Sequence, residues 1–148
     1  MHCGDICQRE CVVVTRDDRA NALARLMREK SVGAVVVVEG APDQYRPVGI
    51  LTDRDLVTEV MACELDPATV TAGDVMSVDL LSCDETDELA ETLLQMRERG
   101  VRRVPVLDTF GYLAGILSTS DLISVLAGEI MEVARLSNRQ AGNGHSRH

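Results

Sequence analysis

One short pattern occurs twice, and it fixes more about the fold than any other feature of the chain. The first copy reads Gly49-Ile50-Leu51-Thr52-Asp53-Arg54-Asp55-Leu56, the second Gly115-Ile116-Leu117-Ser118-Thr119-Ser120-Asp121-Leu122. A glycine and two aliphatics end an apolar run, as a buried strand does. A hydroxyl residue with an acid three positions later opens a helix. Each copy therefore reads as a strand running straight into a helix N-terminus. There, backbone N–H groups and the helix dipole favour an anion such as phosphate. The acid is placed to accept hydrogen bonds from vicinal sugar hydroxyls, and a nucleotide offers both groups. Plain capping by Thr52 with Asp55, and by Ser118 with Asp121, explains the same residues. The two roles are compatible, since a capping hydroxyl can also touch a ligand.

The repeat extends well beyond this pattern. Gly4-Asp5-Ile6-Cys7 aligns with Gly73-Asp74-Val75-Met76, Asp18 with Asp87, and Met27-Arg28-Glu29 with Met96-Arg97-Glu98. Val35 and Val37 align with Val104 and Val106, and the first copy then carries three extra residues near Gly40–Pro47. Two copies make a tandem duplication, too few for a stacked array. Each copy predicts the order β-α-β-β-α. Apolar segments open them at Cys11–Val14 and Asp79–Ser82. Helices follow over Asp18–Lys30, with Ala20, Leu23, Ala24 and Met27 on one face, and over Asp87–Arg99, with Leu89, Leu93 and Met96. Strands come next at Ala34–Val38 then Val48–Thr52, and at Val104–Leu107 then Tyr112–Ser118. Closing helices run from Asp53 to about Cys63 and from Thr119 onward.

The fold class is thus α+β (mixed α/β), two tandem units that can cover each other. The expected boundaries are 1–66, 67–130, and 131–148 for a helix extension and tail, with Pro67 stopping the helix before the second unit. In the extension, Leu126, Ile130, Val133 and Leu136 keep an apolar stripe. The chain after Asn138 is polar and predicts disorder.

Composition narrows the function. Hydrophobic residues make up 45% of the chain and aromatics only 2%, namely Tyr45, Phe110 and Tyr112, so the core and any ligand walls are aliphatic. A net charge of −9 argues against a nucleic-acid partner. No apolar run reaches the length of a membrane span, and Met1–Asp5 opens no signal peptide, so a cytoplasmic location is expected. Five cysteines do not pair into a disulfide framework and are expected as thiols.

Two β-α-β-β-α units, each ending in Gly-aliphatic-aliphatic-Thr/Ser-x-x-Asp-Leu, resemble a pair of CBS (cystathionine-β-synthase) domains, a Bateman module. Gly73-Asp74-Val75-Met76 and Val101-Arg102-Arg103-Val104-Pro105-Val106 strengthen the likeness, which covers about residues 4–130. The chain is similar to stand-alone bacterial CBS-pair proteins. The resemblance implies a non-catalytic regulatory module, its units packed as a pseudo-twofold pair with two clefts between them. It implies a homodimer, and an adenosine-containing ligand: AMP first, otherwise ADP, ATP, NAD or S-adenosylmethionine. Carried onto this chain, it places Asp55 with Thr52 and Asp121 with Ser118 on ribose and phosphate. Ile50, Ile116, Val35 and Val104 then flank adenine. Arg54, Arg102 and Arg103 are placed to reach phosphate, for which arginine's bidentate fork is suited. The first unit has Gly33-Ala34 where the second has Arg102-Arg103, so the clefts are not equivalent. The resemblance also implies a separate protein whose activity the module regulates.

Other patterns carry less. Cys3, Cys7 and Cys11, spaced by four with His2 adjacent, match a metal or thiol-sensing face only on an unbroken helix. Cys11 leads into a β-branched run and Cys7 aligns with Met76, so no metal is expected. Arg97 and Arg99 suit a solvated helix end. His2, His145 and His148 are terminal, and no nucleophile-base pair or glycine-rich phosphate fingerprint occurs, so no catalysis is expected. Two other readings stay open. One is a ligand-independent dimeric adaptor, and the other a redox sensor through Cys3, Cys7 and Cys11.

Overall fold

The structure is a computed structural model that describes residues 1–145, and side chains through Gly142. Its elements are α1 (Cys3–Ile6), β1 (Val13–Val14), α2 (Ala20–Lys30), β2 (Ala34–Glu39), β3 (Arg46–Thr52) and α3 (Asp53–Asp55), which continues as a π-helical turn over Leu56–Met61. The second copy follows as α4 (Ala72–Val75), β4 (Cys83–Asp84), α5 (Leu89–Arg99), β5 (Arg103–Leu107), β6 (Leu113–Ser118) and α6 (Thr119–His145). Each copy forms a three-stranded sheet, in the orders β1-β2-β3 and β4-β5-β6. In each, the short first strand is parallel to the central one and the third antiparallel to it.

The long helices form as their spacing predicts. Ala20, Leu23 and Met27 are buried from α2, and Leu89, Thr92 and Met96 from α5. Both end in a left-handed residue, Ser31 at φ 53° and Gly100 at φ 67°. Its N–H returns to the last carbonyls of the helix, a common helix stop. The second copy opens on a strand at Cys83–Asp84, later than the predicted Asp79–Ser82. The helix predicted from Asp53 to Cys63 is α3 plus the π turn. At the far end, α6 remains helical to His145, past Asn138, where the polar sequence predicts disorder. Residues 146–148 of that predicted tail, His148 included, lie outside the described residues.

The two copies exchange their opening segments. Cys3 and Ile6 of α1 belong to the core of the second copy, with Cys83, Leu89, Met96, Val104, Val106 and Leu117. Ala72 and Met76 belong to the core of the first, with Val14, Leu23, Met27, Val35, Val37 and Leu51. The backbone bonds match across the pseudo-twofold. Cys3 and Gly4 donate to Asp87 and Glu85, while Ala72 and Gly73 donate to Asp18 and Arg16. Gln8 exchanges both bonds with Ile116 at 2.9 Å, and Ser77 pairs with Ile50 at 3.0 and 3.3 Å. The thiol of Cys3 also donates to the buried Thr92 hydroxyl. Each core is therefore completed from the other copy.

This exchange explains the repeated glycine. A Cβ on Gly49 would lie 2.4 Å from the Met76 sulfur, and one on Gly115 would lie 2.7 Å from the Gln8 carbonyl oxygen. The extra residues of the first copy reach the second hairpin. Leu113 donates to the Tyr45 carbonyl, and the Arg46 guanidinium lies 4.9 Å from the centre of the Tyr112 ring.

Candidate functional site: two unequal clefts between the repeats

Exchange of the opening segments leaves a cleft on each side of the junction. Each has three walls: the end of a third strand with its helix start, the loop leading into the other copy's central strand, and the chain following an exchanged segment. In the first cleft these are Ile116, Ser118 and Asp121; Ser31 to Ala34 with Val36; and Gln8, Glu10, Cys11 and Val12. In the second they are Ile50, Thr52 and Asp55; Val101 to Arg103; and Ser77 with Asp79 to Leu81. The cavities measure about 520 Å³ and about 190 Å³. Small-molecule sites usually span about 300–1,000 Å³, so only the first has room for a whole nucleoside-sized ligand.

Strand-to-helix geometry sets the polar groups. In the smaller cleft, Asp55 N–H donates to Thr52 Oγ1 at 3.2 Å and Thr52 N–H to Asp55 Oδ2 at 2.9 Å, a complete capping box. In the larger, Asp121 N–H donates to Ser118 Oγ at 3.2 Å, while the Ser118 hydroxyl itself donates to Asp121 Oδ2 at 2.8 Å. Capping is thus real in both copies. The other oxygen of each carboxylate, Oδ1, takes part in no hydrogen bond among the described residues. The two helix starts are held alike from behind: Asp53 N–H donates to the Gly33 carbonyl and Thr119 N–H to the Arg102 carbonyl, both at 3.0 Å.

The structure brings most of the sequence-derived residues to the clefts. Ile116, Ser118, Asp121 and Arg103 line the larger; Ile50, Thr52, Asp55, Arg102 and Arg103 line the smaller. Val35 and Val104 do not. Both are fully buried in the cores, because strand side chains alternate and each points away from the cleft. Val36, opposite Ile50 in the register, takes the place assigned to Val35. Arg54 is exposed and lines neither cleft. Sequence reasoning missed the wall after each exchanged segment, where Glu10 in one cleft corresponds to Asp79 in the other. The repeat alignment carried that signal, but only the crossover puts these residues beside the opposite copy's motif.

Pro105 adds an asymmetry. Its counterpart Val36 donates its N–H to the Val12 carbonyl at 3.0 Å. Proline has no N–H to give, so the Leu81 carbonyl in the smaller cleft lacks that donor.

Cys7, Cys11 and Cys83 are shifted away from the character of a sensor. Burial pushes the Cys11 thiol up to about 11, with the Cys7 charge adding to the rise. Burial likewise raises Cys7 and Cys83. A reactive cysteine needs the opposite shift. Among the described residues, no three His, Cys, Asp or Glu side chains are placed to hold a metal ion. No described helix is long and apolar enough to cross a membrane.

Comparison with known proteins fits this geometry. The chain is 34% identical over 122 residues to the uncharacterized protein MK0525 of Methanopyrus kandleri, spanning 82% of this chain and 61% of that protein. Among solved structures it is similar to Hypoxic Response Protein I with two coordinated zinc ions, with TM-score 0.71, 34% identity, and coverage of 84% of this chain and 98% of that one. It shares its fold with the CBS domain pair of protein MJ0100, in complex with 5-methylthioadenosine and S-adenosyl-L-methionine, with TM-score 0.74, 17% identity, and coverage of 87% and 98%. The CBS domain model matches residues 3–62 and 72–128, one match to each repeat. The chain therefore belongs to the CBS domain family, as a tandem pair whose two domains complete each other's cores.

Proposed function

We propose that the chain is a non-catalytic regulatory module of the cytoplasm that binds an adenosine-containing ligand in the Ser118–Asp121 cleft, AMP before ADP, ATP, NAD or S-adenosylmethionine. The observation that carries this reading is the larger cleft. It combines room for a nucleoside, aliphatic walls in Val12, Val36 and Ile116, a carboxylate at a helix start, and one arginine. A protein of the same fold that holds methylthioadenosine and S-adenosylmethionine supports the adenosine class. Asp121 Oδ1 accepts from the ribose hydroxyls, the start of α6 and Arg103 face phosphate, and the base lies between Val36 and Ile116. A ligand touching both repeats favours one mutual arrangement over others, and a regulated partner reads the shift. The module acts as a homodimer through the exposed stripe of α6.

Thermal melting in the presence of each ligand tests the reading, since a ligand that binds only the folded chain stabilises it by mass action. AMP is expected to raise the Tm. Asp121→Asn should weaken binding far more than it lowers stability, because the Asn side-chain oxygen can still accept from the Ser118 hydroxyl while the charge is lost. Native mass spectrometry of the purified chain reports any retained nucleotide or metal in the same spectrum. If none of the five ligands shifts the Tm, the reading is wrong. If Asp121→Asn costs stability and affinity alike, the acid is a cap and nothing more.

A further inference from the structure

Among the described residues, Arg103 alone lines both clefts. The strand register shows why. Arg103 opens β5 opposite Ser118, and its pseudo-twofold counterpart Ala34 opens β2 opposite Thr52. Ala34 is too short to serve two sites and lines only the larger cleft. The neighbouring pair is equally uneven, with Arg102 standing where the first copy has Gly33. All the positive charge in both clefts therefore comes from the second copy. Arg103 is the only cation lining the larger cleft, against the acids Glu10 and Asp121. In the smaller cleft, Arg102 and Arg103 face Asp55 and Asp79. Neither arginine has an ion pair among the described residues.

A guanidinium occupies one position at a time. Drawn onto a phosphate in the larger cleft, it leaves the smaller one with two carboxylates and Arg102. Drawn into the smaller cleft, it leaves the larger one with acids only. We propose that Arg103 is a single cation shared by two anion sites, so that a phosphate group held in either cleft weakens the hold of the other. The smaller cleft, at about 190 Å³, takes an anion of the phosphate or pyrophosphate class rather than a whole nucleotide. The proposal rests on the nucleotide reading of the larger cleft and adds to it an antagonism between ligands.

Calorimetric titration of the full chain tests this with three probes: AMP, adenosine as its uncharged counterpart, and inorganic pyrophosphate. Pyrophosphate should weaken AMP binding by about fivefold or more and then level off, as coupling between distinct sites does. Adenosine affinity should not respond to pyrophosphate. In Arg103→Ala, AMP should lose about tenfold in affinity, the usual worth of a charged hydrogen bond, and fall towards adenosine. Its response to pyrophosphate should vanish, while adenosine still binds and so reports an intact fold.

Four results would overturn the shared cation while leaving the nucleotide reading intact. These are AMP bound no tighter than adenosine, no effect of pyrophosphate, an effect that grows without limit as for competition at one site, or an effect that persists in Arg103→Ala. Failure of both adenosine and AMP to bind would overturn the two readings together.

Discussion

Ser31 and Gly100 close the equivalent helices α2 and α5 in the same left-handed conformation, yet only one of them is glycine. A Cβ on Gly100 would meet nothing within 4 Å, so its replacement tests backbone preference without steric conflict. Gly100→Ala should cost about 1 kcal/mol in urea unfolding, and Ser31→Gly should gain about 0.5–1 kcal/mol, the glycine's unfolded-state entropy offsetting part of the relief. A second prediction concerns the thiols. Burial raises Cys11 from 9.0 to about 11 in the folded chain, so the folded state holds its proton more tightly than the unfolded state does. The stability this contributes is complete below pH 9 and lost as pH rises towards 11. Denaturant midpoints should fall across that window, and Cys11→Ala should flatten the fall. Helix capping was legible because it follows local chemistry, as with Thr52, Asp55, Ser118 and Asp121. Position was not legible where the side chain's face decides. Val35 and Val36 are chemically identical, and only the register tells which of them faces the cleft.

At the scale of elements, the order of helices and strands was legible from the repeat and its periodicity. The exchange of α1 and α4 was not. Each is a short run whose apolar residues suit either core, and nothing local states which core receives them. The repeated glycine held the one usable sign, since it marks a backbone approached closely by something else. That approach yields a third prediction. Gly115→Ala should destabilise by roughly 1–3 kcal/mol, the usual range for overpacking. Gly49→Ala should cost less. The first meets the Gln8 backbone carbonyl, which is tied to Ile116, whereas the second meets the flexible Met76 side chain. Equal Tm losses in the two variants would show that the segments are not held as described. The π turn after α3 is a further feature that the sequence does not announce; an ordinary helix through Cys63 satisfies the same apolar pattern.

For the whole molecule, the apolar stripe of α6 is exposed at Ile123, Ile130, Val133 and Leu136, each more than 60% accessible. Continuous exposed apolar surface of this kind usually marks an interface, and a twofold lets one helix face serve both chains. The chain is expected to sediment as a dimer at tens of micromolar, and the Ile130→Asp, Val133→Asp double variant as a monomer. Both residues lie beyond the matched repeats, so AMP binding should survive. A wild-type monomer, or a double mutant that stays dimeric, would refute the interface.

Reciprocal completion of the cores also sets an order of events during synthesis. Cys3 and Ile6 leave the ribosome well before the strands and helices that bury them, which extend to Leu117 and Leu122. The first copy cannot close either until Ala72 and Met76 arrive. A nascent chain halted after Met61 is therefore expected to remain protease-sensitive, although it contains a whole β-α-β-β-α unit, and protection should reach the first copy as the chain passes Met76 and the second only as it passes Leu122.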